Sequence, residues 1–143
     1  MNGNINFPYK PHESEAENAS NSYLMSLVTV IAGLPLPIIN LLGTVIFYFG
    51  NRKGTYFERW HCTQALLNQI ALFITNTIGF SWSLSILFSD NQLSNQYIGY
   101  MVVIVGVNII EFITNIYTAI QTRKGIHVEW IFFGSLTNLI CKE

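Results

Sequence analysis

The side chains best suited to chemistry in this sequence are polar groups set within long apolar stretches. They recur at spacings of three, four or seven residues, which places each set on one face of a helix. The two sets are His61, Gln64, Asn68 and Thr75 in one apolar block, and Asn108, Glu111, Asn115 and Thr118 in the next. Such faces can hydrogen-bond to each other or line a path for protons or ions.

Glu111 is the residue on which these two interpretations differ most. An acid inside a membrane is costly unless it is paired or hydrated, so it marks a functional site by default. The amides in the two sets are instead typical of hydrogen bonds between helices. His61 follows Trp60 at the predicted membrane interface, which favours an anchor or a helix cap over a ligand.

The sequence contains no recognisable catalytic or metal-binding motif. There is no GxxxxGK loop, no HExxH and no Ser-His-Asp set within the apolar blocks. Cys62 and Cys141 do not have a metal-ligand spacing. A net charge of -1 leaves no basic surplus for nucleic acid. We therefore predict that the protein is not an enzyme and has no cofactor, no metal site and no nucleic acid partner.

The composition indicates a single helical domain in a membrane. Half of the 143 residues are hydrophobic and only 10% are charged, against about a quarter charged in soluble domains. The mean hydropathy is +0.36. We expect an all-α, polytopic helical bundle with three to four spans.

The elements that must hold these side chains follow from the apolar blocks. Residues 1–22 are predicted to form a polar tail that is disordered or loosely docked, and residues 23–143 are predicted to form one membrane domain. The spans are expected at about 23–49, 60–88 and 97–121, each longer than the roughly 20 residues that crossing requires. A short helix at about 129–141 is expected to lie at the interface or to cross at a tilt.

The first span carries a predicted break, formed by Gly33, Pro35 and Pro37. Each proline removes a backbone donor and clashes with the preceding turn, so a straight helix cannot pass through this point. A single kinked span is the favoured interpretation, and two short helices in a re-entrant hairpin are the alternative.

The basic residues predict the orientation of the chain. They are expected to act as cytoplasmic anchors, and they are Arg52, Lys53, Arg59, Arg123 and Lys124. Residues 50–59 and 122–128 would then lie on the cytoplasmic side and 89–96 outside, most simply in a bacterial inner membrane. The side of the N-terminal tail depends on whether the first block crosses or turns back.

The stretch "RKGTYFERWHCTQALLNQI" resembles the segment before the second membrane helix in the twenty-kilodalton subunit family of the plastid inner-envelope translocon (TIC). The matching residues are Phe57, Arg59, His61, Gln64 and 65–67. Small bacterial four-helix relatives of unknown function are similar at Asn40, Gly43, Ala119, Ile120 and Gly125. Trp60 and "HVEWIFF" depart from the pattern. The resemblance implies a polytopic fold and, for the plastid branch, membership of a protein-conducting complex.

These observations predict a small non-catalytic subunit or accessory factor of a larger membrane protein complex, which the resemblance links to protein translocation. The expected partners are other integral membrane proteins and the lipid bilayer, and a homo-oligomer is also open. The alternative is a small oligomeric transporter or channel that uses the polar stripe around Glu111.

Overall fold

The computed structural model describes residues 7–33, 37–88 and 93–142. Five helices account for the regular structure of these residues, which confirms the all-α prediction. They are α1 (Glu13–Gly33), α2 (Pro37–Asn51), α3 (Tyr56–Phe88), α4 (Asn95–Arg123) and α5 (Phe133–Ile140).

Local hydrogen bonds explain where the long helices begin and end. Thr55 and Glu58 form a capping box at the start of α3: the Glu58 carboxylate accepts from the Thr55 N–H at 2.9 Å, and the Glu58 N–H donates to the Thr55 hydroxyl at 3.5 Å. Ser94 caps α4 by accepting from the N–H of Tyr97. Gly125 ends α4 with a positive φ of 75°, in a turn that a residue with a Cβ rarely adopts.

The first apolar block forms a hairpin of two helices, not the single kinked helix that we favoured. Ser26 in α1 and Thr44 in α2 lie side by side, with their hydroxyl oxygens 3.4 Å apart, so the two helices run antiparallel. Of the predicted break residues, Gly33 is the last of α1 and Pro37 is the first of α2. Pro37 suits that place because a first helical residue needs no N–H partner. Pro35 lies outside the described residues.

Helix α1 begins at Glu13, within the segment predicted to be a polar tail. Ala16, Ala19 and Ser20 are buried, and the Ser20 hydroxyl donates to the backbone oxygen of Ala119 in α4 at 2.8 Å. Small side chains let the two backbones approach closely, as is common between membrane helices. Composition alone predicted a disordered or loosely docked tail here, because it contains no information on which residues share one face of a helix.

Two helices, α3 and α4, are long and apolar enough to cross a membrane among the residues described. The most apolar windows have mean hydropathies of 1.6 and 1.8, and only 11% of each window is buried. A core helix of a soluble protein would be mostly buried, so the exposed apolar surface favours contact with lipid. Helix α5, at about 1.5 Å per residue, is too short to cross.

The interior of the bundle is mainly polar and its surface mainly apolar. Buried positions include Gln64, Asn68 and Asn115, whereas Val102 and Ile110 are 67% and 66% exposed. Such an arrangement is unfavourable in water but suits a bilayer, where unpaired polar groups must turn inward.

Candidate functional site: two buried polar clusters

The first buried cluster joins α1, α3 and the segment after α4. It consists of Tyr23, His61, Gln64, His127 and Trp130, and we call it the tyrosine–histidine network. The Tyr23 hydroxyl lies 2.8 Å from His61 Nδ1, and His61 Nε2 lies 3.2 Å from His127 Nδ1. The Gln64 amide donates to the Tyr23 hydroxyl at 2.8 Å. Three separate parts of the chain therefore meet through polar contacts.

If every group in this network is to be satisfied, its hydrogen bonds can run in only one direction. Since Gln64 donates to the Tyr23 oxygen, the tyrosine's own hydrogen is free to go to His61 Nδ1. A neutral imidazole has one donor and one acceptor nitrogen, so His61 carries its proton on Nε2 and donates to His127 Nδ1. This assignment requires both imidazoles to be neutral.

Gln64 also holds the extended segment that follows α4. Its amide nitrogen donates to the backbone oxygen of Val128 at 3.2 Å, and its amide oxygen accepts from the N–H of Trp130 at 3.0 Å. The side-chain amide thus satisfies backbone groups as a neighbouring strand would. The Trp130 indole in turn donates to Thr118 in α4 at 2.9 Å.

His127 closes the network at the end of the bundle. Its ring lies among aromatic side chains, with centroids 4.2 Å from the Trp60 ring and 4.8 Å from the Phe7 ring. Burial lowers the pKa of His127 to about 4, because the apolar surroundings disfavour the charged form. A neutral His127 is what the direction of the hydrogen bonds requires.

The second cluster lies deeper along α3 and α4 and is centred on one acid. It consists of Glu111, Asn68, Gln69 and Asn115, and we call it the glutamate cluster. Oxygen Oε1 of Glu111 accepts from Asn68 Nδ2 at 3.1 Å, from Gln69 Nε2 at 2.8 Å and from Asn115 Nδ2. Glu111 is only 6% exposed. Three amides from two helices therefore surround this side chain.

The glutamate cluster leaves part of its hydrogen-bonding capacity unused. The amide oxygens Gln69 Oε1 and Asn115 Oδ1 are buried and have no hydrogen-bond partner among the described residues. Both belong to amides whose nitrogens contact Glu111. Buried acceptors without partners are uncommon and call for an explanation such as water, an ion or a functional role.

The remaining members of the predicted stripes make other contacts. Asn108 exchanges two hydrogen bonds with Asn76, at 2.8 and 3.1 Å. Thr75 donates to the backbone oxygen of Ala71 within its own helix. The predicted stripe therefore divides into separate contacts at different depths.

The predicted cytoplasmic anchors all lie in or beside the end turns of helices at one end of the bundle. Helices α3 and α4 are antiparallel, as the Asn68–Glu111 and Ser83–Tyr97 contacts require, so the start of α3 and the end of α4 coincide. Arg123 pairs with Glu17 at 3.0 Å, with both side chains exposed. The other anchors are Arg52, Lys53, Arg59 and Lys124.

Sequence reasoning missed four members of the two clusters. Gln69 lies one position beside the predicted stripe, and Tyr23 was assigned to the start of an apolar span. His127 lies in the segment 122–128 that is predicted to be cytoplasmic, and Trp130 lies in the short helix predicted at about 129–141. Their approach to His61 and Gln64 depends on the turn at Gly125, which sends the chain back over the bundle. Gly125 was the feature of the sequence that could have indicated this reversal of the chain.

No three His, Cys, Asp or Glu side chains come together to hold a metal ion within the described residues. Cys62 is buried and Cys141 half-buried, and both are free thiols. The Cys141 sulfur lies 3.2 Å from the Thr63 hydroxyl.

Comparison with known proteins corrects the resemblance to the plastid translocon. No curated protein and no solved structure matches the chain significantly. A model of the magnetosome magnetite crystal formation protein family (MamF/MmsF) matches residues 18–136. The translocon resemblance rested on aromatic and basic residues before a helix, which many membrane helices share at the interface, so those motifs did not identify a family. The match includes every member of both polar clusters, and the chain belongs to the magnetosome magnetite crystal formation protein family.

Proposed function

We propose that the protein is a non-catalytic integral component of the magnetosome membrane and takes part in the formation of magnetite crystals. The single observation that carries this proposal is the family match over residues 18–136. The exposed apolar surfaces of α3 and α4 support a location in a membrane. The predicted link to protein translocation is withdrawn with the resemblance that suggested it.

In this proposal α3 and α4 cross the membrane, and the α1–α2 hairpin enters it from one side and returns. The basic residues at the start of α3 and the end of α4 favour the cytoplasmic side for that end. Trp82 contacts both Tyr97 and Tyr100 near the opposite end, where an aromatic belt is expected. Residues 93–94 and the start of α4 would then face the far side of the membrane.

The non-catalytic role is supported by how the buried polar groups are used. Most of those described are bonded to one another or to the backbone, as in the tyrosine–histidine network. Hydrogen bonds between membrane helices average about 0.6 kcal/mol, so they specify which helices meet more than they add stability. The protein would act through what it assembles with, either other integral membrane proteins or further copies of itself.

Deletion and complementation in a magnetite-forming bacterium test this proposal. Cells that lack the gene should form crystals of altered number or size in electron micrographs, and the wild-type gene should restore them. A tagged copy should co-purify with isolated magnetosome membranes. Normal crystals in the deletion strain, or a tagged protein absent from those membranes, would refute the proposal.

A small oligomeric transporter or channel is the second candidate, and one observation favours it. The unpartnered oxygens of Gln69 and Asn115 lie on amides that contact Glu111. Buried oxygens beside a carboxylate are ligands suited to a proton-bearing water or a cation.

Reconstitution into liposomes tests the second candidate. A transporter should give a cation or proton flux that depends on protein and is lost in Glu111→Gln. The matched control is Asn76→Ala, which alters a polar pair of α3 and α4 outside the glutamate cluster. Absence of flux for ions and protons from correctly folded protein would remove this candidate.

A further inference from the structure

We propose that a cleft at the basic end of the bundle binds a phosphate group, carried either by an anionic membrane lipid or by a free phosphate ion. The cleft has a volume of about 320 Å³ and lies where the end of α2, the start of α3 and the end of α5 meet. Three cationic side chains line it, and they are Arg52, Arg59 and Lys142. This inference does not depend on the proposed role in magnetite formation.

The three cations have no anionic partner among the residues that the structure describes. The ion pair among the described residues joins Arg123 to Glu17, and neither of these lines the cleft. Arg59 is half-buried, and its Nε is a buried donor without a hydrogen-bond partner. Such a donor costs free energy unless something accepts from it. An anion in the cleft would remove that cost.

Helix electrostatics explains the positions of two of the three cations but not that of Arg59. Arg52 and Lys142 follow the C-terminal ends of α2 and α5, where a positive charge stabilises the helix dipole. Arg59 instead lies in the first turn of α3, where a positive charge is unfavourable. A bound phosphate would compensate for that repulsion, and the planar guanidinium group offers paired donors that match phosphate oxygens.

The surroundings of the cleft favour a lipid as the source of the phosphate. Ile140 lines the cleft and is 54% exposed, and Leu139 and Phe49 nearby in sequence are 74% and 56% exposed. Apolar surface beside a basic pocket is the arrangement that receives the acyl chains and headgroup of one lipid. A free phosphate ion would use the charges but not the apolar surface.

Lipid titration of the purified full-length protein in a neutral detergent tests the proposal, with binding followed by native mass spectrometry. Phosphatidylglycerol should bind more tightly than phosphatidylcholine. Arg59→Gln should weaken phosphatidylglycerol binding about five-fold, the effect of one basic residue close to an anionic lipid. Lys142→Gln should weaken it similarly, and this residue lies outside the helices, so its loss should not disturb folding.

Lys53→Gln is the matched control, since it removes the same charge next to Arg52 but outside the cleft. Its phosphatidylglycerol affinity should stay at the wild-type value. In a parallel arm, inorganic phosphate is added alone. If inorganic phosphate raises the melting temperature of the wild type but not of Arg59→Gln, the cleft is a phosphate site and its ligand is the free ion. Equal binding of the two lipids without a phosphate effect, or an equal loss in Lys53→Gln and Arg59→Gln, would overturn the proposal.

Discussion

The two buried polar clusters are built from similar side chains but differ in how completely they are satisfied. The tyrosine–histidine network joins α1, α3 and the segment after α4, and its hydrogen bonds form a continuous chain. The glutamate cluster joins α3 and α4 and leaves two buried amide oxygens without partners in the part of the chain that the structure describes. A satisfied network fixes one arrangement of the chain, whereas unused acceptors leave room for a ligand or a second role.

This difference implies that damage to the first cluster should mainly affect folding, and damage to the second should separate folding from function. Substitutions that remove hydrogen bonds without adding bulk can therefore test each cluster in turn.

The largest effect on stability is expected from Gln64→Leu in the tyrosine–histidine network. The change leaves the N–H of Trp130 and the backbone oxygen of Val128 without their partner, and the Tyr23 hydroxyl loses one of its two hydrogen bonds. We expect a loss of about 3 kcal/mol in the free energy of unfolding, at roughly 1 kcal/mol for each of these hydrogen bonds, because two of them hold backbone groups outside the helices and do not join two membrane helices. Thermal unfolding in detergent, followed by circular dichroism, measures it.

Ile113→Leu provides the control for that substitution, because Ile113 is 61% exposed on an apolar surface. Its melting temperature should equal that of the wild type. A Gln64→Leu protein as stable as this control would show that the network does not hold the fold.

A smaller loss is expected from Glu111→Leu in the glutamate cluster. Three amide donors lose their acceptor, which costs about 2 kcal/mol at the roughly 0.6 kcal/mol typical of a hydrogen bond between membrane helices. Glu111→Gln should leave the melting temperature unchanged or raise it, because the new amide can still accept these bonds and can donate to an unpartnered oxygen. If Gln destabilises as strongly as Leu, the charge itself is needed for stability.

The pH dependence of stability should report on His127. Burial holds the pKa of His127 at about 4, below its usual value of 6.5. The unfolded chain therefore takes up this proton from about pH 6.5 downward, while the folded protein does so only near pH 4. The melting temperature should fall as the pH is lowered through this window.

His127→Asn should flatten that profile, because the Asn oxygen can accept from His61 in place of Nδ1 and does not titrate. Melting curves of both proteins between pH 4 and 7 make the comparison. Identical slopes would mean that the loss at low pH arises elsewhere, and the network would not require a neutral His127.

The smallest effect is expected from Arg123→Gln, which breaks the pair with Glu17 outside both clusters. The two side chains are 55% and 51% exposed, so water and salt screen the interaction, and we expect less than about 0.5 kcal/mol. The melting temperature should move by no more than the scatter between preparations. A loss as large as that in Glu111→Leu would show that the α1–α4 contact depends on this ion pair.

The sequence predicted those features that follow from local periodicity. The three- and four-residue spacing predicted Asn68, Glu111 and Asn115 on facing surfaces, and in the structure Asn68 and Asn115 both donate to Glu111. The pairing of residues was less predictable: Asn108 meets Asn76, which is not part of the predicted stripe of α3, because the spacing along one helix does not set its rotation or depth against the next helix.

The rest depended on contacts between residues far apart in the chain. His61 and His127 are separated by 66 positions, and no local pattern connects them. The two prolines are compatible with either a kinked helix or a hairpin of two helices, so the sequence does not distinguish them. The interfacial aromatic and basic residues also could not identify the family, since such residues occur in many unrelated membrane proteins.

The most direct test of the account is complementation of the deletion strain with Glu111→Gln. If the glutamate cluster joins helices and the protein acts without catalysis or transport, the variant should accumulate in the magnetosome membrane and restore magnetite crystals of wild-type number and size, as counted in electron micrographs. Normal accumulation of the variant protein with defective crystals would contradict the account, because the carboxyl group of Glu111 would then be required for function.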